Sequence, residues 1–166
     1  MQLCPTVDAW ALEAQRYQLG RRCLEAILAE PGWSVKILTK NTAVRQDFDL
    51  SLRYRERVSV GISITTPLGK AGTIAAVEPN ASPIQERMAA IQEAHQLGLR
   101  TYAMFCPLLP GIADSREAIA ELIEFALECA VEEVFVEPVN ARGPGLRRTQ
   151  EALSAQSAIS RRGRIT

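Results

Sequence analysis

ASPIQERMAAIQEAHQLGLRTYAMF (residues 81–105) contains a helix start, a helix stop and a strand in direct succession. Ser82 stands as an N-cap, Pro83 at the first helical position and Gln85 three residues after the cap, the arrangement of a capping box. Ile84, Met88, Ile91 and Leu97 recur as an inner stripe, and Gly98 suits the position just past a helix end. LRTYAMF (99–105) then reads as a strand. A helix that hands over to a strand without a long connection is the repeating unit of an α/β protein.

The same alternation extends in both directions. Upstream lie SVKILTK (34–40), a short helix that Thr42 caps through Val44, Phe48 and Leu52, and the β-branched strand VSVGISITT (58–66), followed by a loop over 67–81. A first helix is expected over 8–29, with Leu12, Leu19, Leu24, Ile27 and Leu28 apolar and Pro31-Gly32 as its stop. Downstream, Asp114 with Glu117 repeats the capping logic for a helix through Ile119, Leu122, Ile123, Ala126 and Leu127, and EVFVEP (133–138) is the fourth clear strand. Strands separated by helices run parallel with right-handed crossovers. Four are too few for a closed eight-stranded barrel of about 250 residues. The pattern predicts a parallel-stranded α/β sheet, either part of a barrel or small and open, over 1–153, with a flexible tail over 154–166 that lacks a sustained apolar period.

The 166 residues are 47% hydrophobic and 23% charged, enough for one real core. Nineteen basic residues balance nineteen acidic ones, which argues against broad electrostatic capture of nucleic acid or anionic membrane and leaves room only for a local basic patch. The basic clusters GLRR (145–148) and SRRGR (160–164) read as solvated. No apolar run approaches the roughly 18 to 20 residues of a membrane span, and the N-terminus has no leader pattern, so a soluble cytoplasmic protein is expected. Cys4, Cys23, Cys106 and Cys129 show no CxxC pair and no zinc spacing.

In parallel α/β sheets the ligand site lies at the carboxyl ends of the strands. Those ends carry Thr39, Lys40 and Asn41; Ser63, Thr65 and Thr66; Cys106 and Pro107; and Glu137, Asn140 and Arg142. Lys40 is either an ammonium group placed to hold a carboxylate or phosphate, or the start of a solvated loop. Ser63 and Thr65 share one strand face and offer hydroxyls to a ribose or a carboxylate. Glu78, before a proline, is read as structural, pairing with Arg87 or Arg142, and Glu137 is left open between ligand and ion pair. His95 belongs to a helix surface near its C-terminus. Cys106 has no histidine partner, which disfavours cysteine catalysis, and no GxGxxG or GxxxxGK[ST] is present.

VDAWALEAQRYQLGRRCLEAI, ILTKNTAVRQDFDL, VSVGISITT and EPNASPIQERMAAIQEAHQLGLRTYAMFCPLLPGIAD together resemble the spore photoproduct lyase-like branch of the radical S-adenosylmethionine superfamily. The likeness covers residues 8–153. Its sharpest pieces are the Thr39-Lys40 pair, the Glu78, Pro79 and Arg87 helix start, and the series Pro107, Pro110, Gly111, Ile112 and Asp114. The resemblance implies a partial (β/α)6 barrel that binds a 4Fe–4S cluster and S-adenosylmethionine (AdoMet) and cleaves the latter reductively to a 5′-deoxyadenosyl radical. It matches Lys40 to the lysine that meets the methionyl carboxylate, and Ser63 and Thr65 to the strand that approaches the ribose and amino-acid portion, with Glu137 on the same rim.

The family's CxxxCxxC triplet, which supplies three thiolates to the cluster, does not occur in these residues, and Ala9, Trp10 and Ala11 stand where relatives tend to show Pro-Tyr-Gln. The expectation is a barrel truncated at its N-terminal end: the C-terminal portion of a radical AdoMet enzyme, inactive alone, with AdoMet as ligand and no cluster on this chain. The alternative is a degenerate barrel serving as a non-catalytic ligand-binding or protein-interaction module. A third reading is an unrelated small α/β enzyme using Cys106 or Glu137. A missing terminal strand predicts an exposed apolar sheet edge and homo-oligomerisation through it.

Overall fold

The computed structural model describes residues 1–3, 7–140 and 144–162, with 157–162 described by backbone alone. Five parallel strands form one sheet: β1 (Gln2–Leu3), β2 (Val35–Thr39), β3 (Val58–Ser63), β4 (Arg100–Leu108) and β5 (Glu133–Pro138), in spatial order β1-β2-β3-β4-β5. That order never reverses. Right-handed crossovers between successive neighbours all fall on one side, as in a barrel wall, whereas a doubly wound sheet reverses and has helices on both sides. The α/β fold is a partial barrel, as the alternation of elements predicts.

The register separates the two faces of the sheet. Val35 and Ile37 of β2, Val58, Val60 and Ile62 of β3, and Ala103 and Phe105 of β4 share one face. All are buried, together with Leu24 and Leu28 of α2 (Leu19–Leu28), Ala90, Ile91 and Ala94 of α5 (Ile84–Gln96), and Leu122 and Phe125 of α6 (Arg116–Glu128). Each Val, Leu, Ile or Phe among them contributes about 1.5–3 kcal/mol on leaving water. The opposite face carries Lys36 and Leu38, Ser59, Gly61 and Ser63, Tyr102 and Met104, and Glu133 and Phe135. Tyr102 lies flat over Gly61, where a Cβ would come within 2.0 Å of the ring, and its hydroxyl donates to the Ile37 carbonyl at 2.5 Å. Only glycine fits there.

Several local expectations are corrected. The first helix is two, α1 (Leu12–Gln15) and α2, broken at Gln18 with φ 48°. The Thr42 segment is a 3-10 turn (Thr42–Asp47) followed by α3 (Phe48–Arg53), and the 67–81 loop holds a short 3-10 turn and α4 (Ala71–Val77). Pro83 is the N-cap of α5, because the Ser82 hydroxyl is taken by the Thr42 N–H at 2.9 Å. Ser115, not Asp114, caps α6: its oxygen accepts from Ala118 N at 3.2 Å, while Asp114 accepts from Gly111 N at 2.7 Å. Leu97, Ile123 and Leu127 are exposed rather than inner. Past residue 153, α7 (Pro144–Arg162) continues helical, since Ala, Gln and Arg extend a helix without an apolar stripe.

Candidate functional site

The carboxyl ends of β2 and β3 meet at one carboxylate. Glu78 follows α4, and its side chain is only 9% exposed. The Lys40 ammonium, one residue past β2, donates to Glu78 Oε1 at 2.5 Å. Arg87 Nη2 donates to Glu78 Oε2 at 2.7 Å, and the Thr65 hydroxyl bridges both oxygens at 3.0 and 3.1 Å. Arg87, 2% exposed, also donates from Nε to the Ser82 carbonyl at 2.5 Å and from Nη1 to the Ser63 carbonyl at 3.2 Å. One guanidinium therefore joins the end of β3, the start of α5 and Glu78. Burial pushes the Glu78 carboxyl up, but the adjacent Lys40 and Arg87 charges outweigh it and hold the group below the usual carboxylate range. Glu78 is ionised, with both oxygens hydrogen-bonded, so it is no proton donor.

The backbone that presents Lys40 is fixed from the other side. Asp8 accepts the Lys40 N–H at 3.0 Å, the Thr39 hydroxyl at 2.8 Å, the Asn41 side-chain amide at 2.8 Å and the Trp10 N–H at 2.9 Å. Trp10 is in turn anchored by its indole N–H on Asp47 Oδ2 at 2.8 Å and covers Gly20, where a Cβ would meet the indole at 2.3 Å. Thr39 and Asn41, candidates for the rim, thus face Asp8.

The four sequence-predicted site residues divide. Lys40 and Thr65 converge on Glu78. Ser63 is buried and its hydroxyl donates to the Cys106 carbonyl at 2.7 Å. Glu137 is exposed and lies 3.6 Å from Cys106 Sγ. Burial pushes the Cys106 thiol up, the Glu137 charge adds to this and Lys40 partly offsets it, so the thiol is protonated and weakly nucleophilic at neutral pH. His95 is exposed near the end of α5, as expected. Cys4 and Arg142 lie outside the described residues. Thr66 is fully buried with its hydroxyl unpaired at the same strand end.

Sequence reasoning missed Asp8 and the depth of Arg87. For Arg87 a signal existed: it lies three residues after Ile84 and four before Ile91, inside the buried stripe of α5. An arginine at a core position of a helix implies a buried counter-charge.

No family model matches the chain. An uncharacterized protein, ORF301, of Acidianus two-tailed virus is 28% identical over 142 residues, 84% of this chain and 46% of that protein. An uncharacterized protein of Mycobacterium tuberculosis (strain H37Rv) is 31% identical over 96 residues, 58% of this chain and 28% of that protein. One of Methanocaldococcus jannaschii is 26% identical over 118 residues, 71% and 44% of the two chains. The chain spans less than half the length of each of these relatives. Among solved structures, a spore photoproduct lyase variant with bound AdoMet and dinucleoside spore photoproduct superposes with TM-score 0.63 at 16% identity, over 91% of this chain and 44% of that one. A second variant of that lyase gives the same values. At this identity the likeness is one of fold: the chain shares the partial-barrel α/β fold of that lyase over 91% of its length.

Proposed function

We propose that the chain is the C-terminal, AdoMet-binding portion of a radical S-adenosylmethionine enzyme acting in the cytoplasm. The observation that carries this reading is the Lys40 ammonium at the carboxyl edge of the sheet: Glu78 engages one of its three N–H donors, and its side chain stays 30% exposed. The donor chemistry fits an amino-acid carboxylate. In this reading Lys40 binds the methionyl carboxylate, Thr65 and Arg87 keep Glu78 in place, and AdoMet when bound supplies the sulfonium bond that is reductively cleaved.

The described residues do not fit a 4Fe–4S cluster. Cys23 is on α2, Cys106 on β4 and Cys129 at the end of α6, and among the described residues no three His, Cys, Asp or Glu side chains converge on a metal position. In the proposed enzyme the cluster ligands are not among the described residues. Among the described residues no helix is long and apolar enough to cross a membrane.

The same lack of ligands favours a second reading, a degenerate barrel that binds a small molecule or a protein without catalysis. Titration calorimetry with AdoMet separates the two. The first reading expects binding that Lys40→Ala weakens by at least about tenfold, the loss of one charged contact. Absence of binding, or affinity unmoved by the substitution, removes it and leaves the second.

A further inference from the structure

We propose that Glu78 is a positioning residue for Lys40: locked from behind by buried Arg87, it holds the lysine ammonium in place for a ligand carboxylate. This inference rests on the reading of Lys40 as the AdoMet-carboxylate contact.

Both oxygens of Glu78 are engaged within the protein and the side chain is nearly buried, so it presents little of itself to a ligand. Oε1 accepts from Lys40, Oε2 accepts from Arg87, and the one Thr65 O–H lies between both oxygens, while the carboxylate side chain is only 9% exposed. Whatever Glu78 does for a ligand it does through Lys40. A lysine alone is a mobile point charge on a four-carbon stem, and fixing it in advance removes an ordering cost from binding.

Arg87 explains why this pairing does not spoil the site. A lone Glu78 would neutralise Lys40 and repel an incoming carboxylate. Arg87 is buried and matches the Glu78 charge, so the ammonium's positive charge stays available at the exposed end of the cluster. The order is one of depth: guanidinium inside, carboxylate between, ammonium at the rim.

A double-mutant cycle with AdoMet tests this. Glu78→Gln is expected to weaken AdoMet binding by about tenfold when Lys40 is present, the scale for a group that orients a contact residue, and by less than about twofold in the Lys40→Ala background. Equal losses in the two backgrounds, or no loss in either, overturn the positioning role, because a purely structural defect does not depend on Lys40. The chain has three lysines, Lys36, Lys40 and Lys70, so 15N spectra of the lysine ammonium groups give a ligand-free readout. The Lys40 signal, identified by its loss in Lys40→Ala, is expected to be slow-exchanging in the wild-type chain and lost in Glu78→Gln. Thr65→Val, which keeps the shape and removes the bridging hydroxyl, takes over if Glu78→Gln does not fold, and is expected to weaken that signal. A Lys40 signal unchanged by these substitutions overturns the proposal. Wild-type protein that ignores AdoMet ends the AdoMet reading, while the nitrogen signal still decides the positioning role.

Discussion

At Arg87 the helix pattern and the charge pattern conflict. The residue sits in the buried stripe of α5, and the conflict is resolved by spending its donors on Ser82, Ser63 and Glu78. A buried ion pair gains little over an apolar replacement of both partners, but removal of one partner costs about 3–5 kcal/mol because the other charge is left bare. The pairing also sets a pH dependence. The Glu78 carboxyl titrates lower in the folded chain than its ordinary 4.5, so the stability it contributes is complete above that value and is lost as pH falls through the native one. Urea midpoints measured from about pH 6 down to about pH 3 should therefore fall more steeply for the wild-type chain than for Glu78→Gln. Parallel profiles would show that the carboxyl is not held low.

Among the elements, α5 and α6 end in the same motif with different residues. After α5, Gly98 at φ 80° donates to the His95 carbonyl and Leu99 to the Ala94 carbonyl; after α6, Ala130 at φ 46° and Val131 make the equivalent bonds to Leu127 and Ala126. These are Schellman caps, and the left-handed position suits glycine, not alanine. Ala130→Gly should raise the unfolding free energy by about 1 kcal/mol, read from denaturant melts, and an unchanged or lowered midpoint would contradict the strain assigned to this turn. Gly98 announced its helix end in the sequence, and the strands 34–40, 58–66, 99–105 and 133–138 were visible for the same reason: their order follows from local residue chemistry. Features that depend on a partner far along the chain were not legible. Ser82 carries every mark of an N-cap, yet its hydroxyl goes to Thr42. Asp8 looks like a helix start and instead clamps Thr39, Lys40 and Asn41. Lys40 and Thr65 stand out in the sequence because strand ends and strand parity are local, and the structure brings both to Glu78; Glu78, read as structural through Arg87, pairs with Lys40 as well.

For the whole molecule, the asymmetry of the sheet decides both the site and a liability. Helices cover the face of Val60, Ile62 and Phe105, and the other face holds the polar row that leads to Lys40 and Thr65. Parallel strands are normally covered on both faces. Here β5 is an edge strand whose six residues are all exposed, with Val134, Phe135 and Val136 at 42%, 41% and 53%. The exposed apolar edge lies at β5, not at the N-terminal side where a missing first strand was expected to leave it; there β1 pairs with β2 through Gln2 and Leu3. Exposed Ile123 and Leu127 on α6 add to the apolar surface. Such an edge offers unpaired backbone groups and apolar side chains to a second copy, with Glu133 and Glu137 as the charges that oppose it. Glu133 is already engaged by Lys36 at 2.6 Å, which blunts that opposition. Sedimentation velocity should accordingly show concentration-dependent self-association. Val136→Lys, placing a charge on the open edge, should return the chain to a monomer without lowering its urea midpoint by more than about 0.5 kcal/mol, the scale for an exposed position. A wild-type chain that stays monomeric at every concentration would mean that the two glutamates suffice to protect the edge.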